Sequence, residues 1–342
     1  MIGMFLQGGF WPVILLGTLY SVLYVPTLML TNSLAFTHMT DRDRQFPIVR
    51  LFGTVGFIVP AWLIEMVFLR GLTGDELNAS RGICLAAAGV GGLVMAAFSL
   101  VLPHTPPSRK EKSDVAPLVA MRLLVRQKHF LVLVLTSFVV AIVHKFYFVL
   151  NTPFLRSILD RGGIEGAWEQ RISSIGQIGE IAVMALLGWM IKRLGFKKTL
   201  LLGIMAYWGR CLVFAFVPHW DLPFATELTL VCLGQLSHGV CFGCFLAVAF
   251  IYFDRMSPPD VRGSMQNLYG TFVLGIGFFA GGIVAGEIGE YYTTGQGEAA
   301  VKNWFMIWNS AGFMAAVCLA FFAGCFPART EEPKSAATEE PV

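Results

Sequence analysis

Charge is what this chain has least of. Only 14% of its 342 residues are Asp, Glu, Lys or Arg, against 56% hydrophobic, and the mean hydropathy is +0.66. A soluble domain carries about 25% charged residues, which excludes the ordinary soluble enzyme and the nucleic-acid-binding module. Strand-like alternation of polar and apolar residues is missing as well, which argues against an outer-membrane barrel. Cysteine is sparse. All seven fall in apolar stretches, and Cys241 and Cys244, although spaced as CxxC, read as small buried hydrophobes. No zinc-ligand pattern, HExxH or nucleotide-binding unit occurs, so no metal, cofactor or catalytic group is expected. Gly275, Gly277, Gly281, Gly282 and Gly286 lie in an apolar run rather than a phosphate loop. The pairs Gly277/Gly281 and Gly282/Gly286 have the spacing that lets membrane helices pack closely.

Long apolar runs are plentiful. A membrane-spanning helix needs about 20 mostly apolar residues, and nine segments fit: 10–37, 46–69, 82–103, 129–155, 172–193, 198–218, 225–252, 263–288 and 304–326. The chain therefore reads as an all-α, polytopic helical membrane protein in contact with the lipid bilayer. The charged residues gather between the spans, in DRDRQ, PSRKEKSD and KRLGFKK. The longest polar connection divides the spans three plus six. The expected organisation is a partial N-terminal bundle over 1–103, a cytoplasmic linker over 104–128, a C-terminal six-helix bundle over 129–326 and a disordered tail over 327–342.

Orientation follows from the Lys/Arg balance of the loops. Of the 25 Lys and Arg, seventeen lie on the side that holds the linker and the C-terminus, six on the other, and Lys145 and Arg210 within spans. The richer side is cytoplasmic, which makes this a multi-pass protein of the cell inner membrane with its C-terminus inside. The same rule puts Met1 outside, and an odd number of additional upstream helices, most simply three, would account for that.

An ionisable group at the centre of a span costs about 2.5–3.5 kcal/mol on insertion scales, so those inside spans are candidates for a polar cavity. Arg50, Thr54 and Phe57 stand at i, i+4 and i+7, on one helix face. A cation, a hydroxyl and a ring suit a nucleoside, with its flat base and its sugar hydroxyls; Arg50 also fits a cytoplasmic anchor. Gln177 and Glu180 are i, i+3 neighbours, with Ser173 on the same side. Lys145, Phe148 and Thr152 form a stripe beside His144. An ion pair between Lys145 and Glu180 would lower the cost of both charges, as a static clamp or as a proton-linked switch. Arg210 and Glu65 read as structural, and Gln266, Asn267 and Thr271 fit contacts either across a cavity or between neighbouring helices.

Two resemblances add to this reading. The run from Gly188 through Lys192, Arg193, Gly195, Lys197 and Lys198 is similar to the loop signature of the major facilitator superfamily, with Lys192 in place of its Asp. It implies a two-bundle fold with the site between the bundles, and a tight turn in which Gly195 bends the chain and the cations bind the carbonyls of the helix they end. Closer still, the chain resembles the nucleoside:proton symporter family of bacteria nearly throughout. The matching motifs are Tyr24-Val-Pro26-Thr27, Phe46-Pro47 through Arg50, Gly53, Thr54, Gly56 and Phe57, then Gln177 to Glu180, Tyr207 to Arg210, and Ser257-Pro258 through Gln266.

The resemblance implies a secondary transporter that imports nucleosides with protons, powered by the proton gradient, with no enzyme activity and no obligate protein partner. It also implies that the family's first three helices are missing from this sequence. Substrate contact is implied at Arg50, Thr54, Phe57, Gln177 and Glu180, and Lys145, Phe148 and Phe242 join them as site residues. The chain departs from the family in three places: Lys145 stands near a family amide, His238 at a family Tyr, and Gly243 at the family's suspected coupling Asp. Glu180 and His238 are then the proton-coupling candidates. The alternatives are a related transporter of another polar metabolite such as a sugar, and a truncated membrane protein that binds without transporting.

Overall fold

The computed structural model describes residues 1–6, 9–40, 42–72, 74–104, 116–164, 168–220, 222–258, 261–295, 297 and 300–328. At some helical positions, Arg50 among them, the side chain is outside the description. Most of the expected linker (105–115) and tail (329–342) also lies outside it. The chain divides into two compact units, Met1–Lys110 with Ile164–Gln170, and Glu111–Gly163 with Arg171–Val342.

The first unit comprises α1 (Ile2–Phe5), α2 (Phe10–His38), α3 (Arg42–Ile64), α4 (Gly74–Ser80) and α5 (Ile83–Ser99). Helix α3 continues into one wide π-helical turn, Glu65–Leu69. Buried Leu69 and Leu77 gather Ile64, Leu72 and Ile83 into a small cluster at that end. Helix α1 can lie on α5 because Gly89 has no side chain; a Cβ there would stand 2.4 Å from Cγ1 of Ile2.

The second unit begins with α6 (Ala116–Arg126) and α7 (Lys128–Arg161). Helix α7 passes through Pro153 and outruns the expected span by six residues, to Arg161. The Arg156–Asp160 pair supports its last turns, and Arg161 ties them to Glu227. Helix α8 (Glu169–Phe216) contains the expected bend, where Gly195 takes φ +74°, a conformation open to glycine. The lysine after it behaves differently from the expectation. Lys197 donates to the carbonyls of Ala323 (3.0 Å) and Phe326, at the end of the last helix. It thus satisfies orphan carbonyls of a neighbouring helix rather than of its own.

There follow α9 (Phe224–Leu236), α10 (His238–Cys241), α11 (Val248–Met256), α12 (Arg262–Gly270), α13 (Phe278–Tyr291) and α14 (Trp304–Cys325). Two π-helical stretches, Phe242–Ala247 and Thr271–Gly277, join α10 to α11 and α12 to α13. Asn303 caps α14 by accepting from the Met306 amide at 3.1 Å. By length and composition six described helices can cross a membrane: Phe52–Leu69, Lys128–Arg161, Glu169–His219 with its bend at Gly195, Phe224–Met256, Arg262–Tyr291 and Trp304–Cys325. Phe10–Tyr24 and Ile83–Ser99 are shorter apolar helices.

In lipid, close packing rather than expulsion of water drives helix association. Aromatic rings provide part of it, and Phe154, Phe214 and Trp308 meet at 5.0–5.4 Å to join α7, α8 and α14. Glycines provide the rest. A Cβ at Gly281 would stand 2.7 Å from Lys145 Cβ and 2.9 Å from Ile142 Cα, so α13 rides directly on α7. Of the two spaced glycine pairs only Gly277/Gly281 serves this crossing, because Gly282 and Gly286 have nothing within 4 Å of such an atom. Gly281→Ala should therefore cost about 1–3 kcal/mol by overpacking, whereas Gly282→Ala should be close to neutral. Melting of the two purified variants in detergent tests the contrast.

Candidate functional site

Helix α7 carries two adjacent polar stripes. His144, Tyr147 and Asn151, spaced i, i+3 and i+7, are buried within the second unit. Lys145, Phe148 and Thr152, one residue on, form its outer neighbour, with Lys145 half-buried and the other two exposed. The buried stripe meets Tyr207 and Arg210 of α8, Gln235 of α9 and His238 of α10.

Arg210 is at the centre, with only 2% of its surface exposed. Its Nη1 lies 2.8 Å from His238 Nδ1. Arginine has no acceptor, so it must donate, and Nδ1 of His238 therefore carries no proton. The guanidinium carbon stands 4.7 Å from the Tyr147 ring centroid and 5.3 Å from that of Tyr207. The His238 ring stacks on Tyr147 at 4.6 Å and on His144 at 5.4 Å, and His144 Nδ1 meets the Tyr207 hydroxyl at 2.7 Å. One hydrogen bond to a charged group contributes about 1.5–3 kcal/mol, and each cation–π contact about 0.5–2. Together these offset the roughly 2.5–3.5 kcal/mol cost of an arginine at this depth.

A second chain of bonds runs beside it. Gln235 Nε2 donates to Asn151 Oδ1, and Asn151 Nδ2 donates to Ser173 Oγ, both at 2.7 Å. Among the described residues, Oε1 of Gln177, Oε1 of Gln235 and Nε of Arg210 are buried with no hydrogen-bond partner. A cluster of two orphan acceptors and one orphan donor is costly unless a ligand uses it.

Gln177 and Glu180 reach this region because α8 crosses the α9–α10 junction at backbone contact. A Cβ at Gly176 would lie 3.0 Å from His238 Cβ, and one at Gly239 would lie 2.3 Å from the Glu180 nitrogen. Glu180 is half-buried and engaged with a partner of its own. The expected Lys145–Glu180 ion pair is not among the ion pairs of the described residues. The Lys145 ammonium instead lies 5.4 Å from the Phe278 ring centroid and 5.7 Å from that of Phe148, because α13 rides on its Cβ. Phe242 opens the π-helical stretch with its ring 6.2 Å from His144. Beside it, Gly243 faces Val183, whose Cγ1 would be 2.7 Å from an added Cβ.

Lys145, Phe148, Gln177, His238 and Phe242 thus cluster on one unit with Glu180 adjoining. Thr54, half-buried, and Phe57, 48% exposed, belong to the other unit, and the side chain of Arg50 lies outside the described residues. Gln266 bonds Asp254 of α11 at 2.9 Å. Sequence reasoning passed over Tyr147, Asn151, Tyr207 and Gln235, and assigned Arg210 to structure. The available signal was the i, i+3, i+7 repeat of His144, Tyr147 and Asn151.

A sequence model described as Nucleoside H+ symporter matches residues 2–331. The chain belongs to the nucleoside H+ symporter family. YegT of Escherichia coli (strain K12) is 30% identical to it over 322 residues, 92% of this chain and 72% of YegT. Nucleoside permease NupG of the same organism is 25% identical over 316 residues, 89% of this chain and 71% of NupG. A crystal structure of a NupG variant, 24% identical, superposes with a TM-score of 0.73 over 95% of this chain and 79% of the other. This nucleoside H+ symporter family member therefore shares the NupG fold.

Within it, Asn151 is the joint of the second bond chain. Asn151→Ala should leave the buried Gln235 amide nitrogen without its acceptor, at about 1–3 kcal/mol. A lowered melting temperature of the purified protein, larger than for Ser173→Ala, is the expected result.

Proposed function

We propose that this protein imports nucleosides together with protons by alternating access in the inner membrane, using the proton gradient and no cofactor. Membership of the nucleoside H+ symporter family across residues 2–331 carries the reading. The relatives named nucleoside permease and xanthosine permease support it. The architecture proposed with it is a major facilitator-type fold of nine crossings, three before a cytoplasmic linker and six after, with the C-terminus inside.

The orphaned acceptors of Gln177 and Gln235 suit the hydroxyls of a ribose. Phe148 and Phe242 offer faces for a base. Lys145 and Glu180 supply charge on the same unit, and Arg50, Thr54 and Phe57 of α3 complete the proposed substrate residues. For the coupling proton Glu180 is the better candidate of the two. A second proton on His238 would go to Nδ1, displace the Arg210 bond and set two cations side by side. Breaking and reforming such bonds is how a bound proton biases one arrangement of a bistable protein over another.

In proteoliposomes with an inward proton gradient, labelled uridine should accumulate, and a protonophore should abolish the accumulation. Glu180→Gln should retain binding but lose gradient-driven accumulation by tenfold or more. Unchanged accumulation in that variant would remove Glu180 from the coupling role.

A further inference from the structure

The second unit holds two cations that no carboxylate answers. Among the described residues neither Arg210 nor Lys145 makes an ion pair. The two are linked through rings in contact. Lys145 lies over Phe278, Phe278 stacks on His144 at 5.5 Å, His144 stacks on His238, and His238 accepts from Arg210. Every partner along this path is neutral. Glu180 adjoins the cluster and has an interaction of its own.

Gly243 brings no side chain to the cluster, and Val183 fills the space beside it. A Cβ at Gly243 would come within 2.7 Å of Val183 Cγ1. With both cations charged and Glu180 ionised, the cluster carries one positive charge in excess. A proton taken up on Glu180 makes it two. In surroundings of low dielectric an unanswered charge is costly, and a ligand of opposite sign removes that cost where a neutral one does not.

We infer that the solute accepted here is an anionic nucleoside, one whose negative charge is taken by Lys145 with Arg210 behind it. Lys145 is the half-buried member and meets the solute, while Arg210, buried behind Tyr147 and His238, acts through its field. The inference rests on the nucleoside reading above and narrows it from nucleosides in general to those bearing a charge. One proton moving with one monoanion would carry no net charge. With Glu180 protonated, the monoanion answers one of the two cations, so the loaded cluster carries no more charge than the empty one with Glu180 ionised.

The test compares three solutes with the full chain in proteoliposomes: uridine, which is neutral; orotidine, with a carboxylate on its base; and uridine 5′-monophosphate, with its charge on phosphate. At least one anion should be taken up with a kcat/KM tenfold or more above that of uridine, and the two anions tell a base-borne from a phosphate-borne charge. Lys145→Gln should bring the anion-to-uridine ratio toward one. Gly243→Asp combined with Val183→Ala, which adds a carboxylate and makes room for it, should move the ratio the same way without touching either cation. Uptake of uridine equal to or above both anions would overturn the charge assignment and leave nucleoside transport standing. A ratio unmoved in both variants would overturn it as well. Uptake of none of the three would overturn the nucleoside reading itself.

Discussion

Arg210 is the constraint around which the second unit is arranged. A guanidinium almost wholly removed from solvent needs a hydrogen-bond acceptor and polarisable surfaces, and each helix that touches it supplies one. Helix α10 brings His238 Nδ1 at 2.8 Å, α7 brings the face of Tyr147, and α8 itself brings Tyr207. None of the three is charged. The cation is accommodated without being neutralised, and its field remains available in a medium that screens it weakly. The same bond fixes the tautomer of His238, and the stacked rings hand that order on to His144 and Tyr207. Rearranging any one of these side chains disturbs the others, because they share partners.

Such a network needs helices at nearly backbone contact, and glycine provides the approach. Gly176, Gly179 and Gly239 let α8 cross the α9–α10 junction where Gln177, Glu180, Gln235 and His238 stand. Gly281 does the same for α13 against α7 beside Lys145. The small residues and the polar ones therefore belong to one design. Backbones that touch put side chains of different helices within hydrogen-bond reach, and in lipid those bonds have few competitors.

Much of this was legible in the sequence, and the failures are instructive. Gly195 could be read as a bend because a cationic loop between two apolar runs leaves little else for a glycine to do, and its φ of +74° agrees. On α7 the sequence reading named one of two adjacent stripes. Lys145, Phe148 and Thr152 drew notice because a lysine in a span is conspicuous, yet His144, Tyr147 and Asn151 are the buried members. An apolar run around both stripes gives no periodicity by which to phase the helix, so charge alone drew attention to the outer stripe and the buried one went unnoticed. Arg210 was set aside for a related reason. Besides Tyr207, three residues before it, its partners His238 and Tyr147 lie 28 and 63 positions away in sequence, and no local pattern announces them. The two glycine pairs on α13 were indistinguishable as strings, and only the partner helix separates the pair that packs from the pair that does not.

The π-helical stretch over Phe242–Ala247 bears on coupling directly. A π turn widens the helix by one residue and is commonly retained where it serves a site. Here it begins at Phe242, whose ring lies 6.2 Å from that of His144, and turns Gly243 against Val183. A carboxylate at that position would have to displace a β-branched side chain, which has few rotamers to yield. Val183 thus fills the space beside Gly243, and the acceptor that Arg210 meets is a neutral imidazole nitrogen. Once the acceptor is neutral, a proton delivered to it is opposed by the arginine. The backbone nitrogen of Glu180 is in contact with the same junction through Gly239. Arg210 through His238 and Glu180 through Gly239 thus both meet the α9–α10 junction, from the two sides of the bend at Gly195.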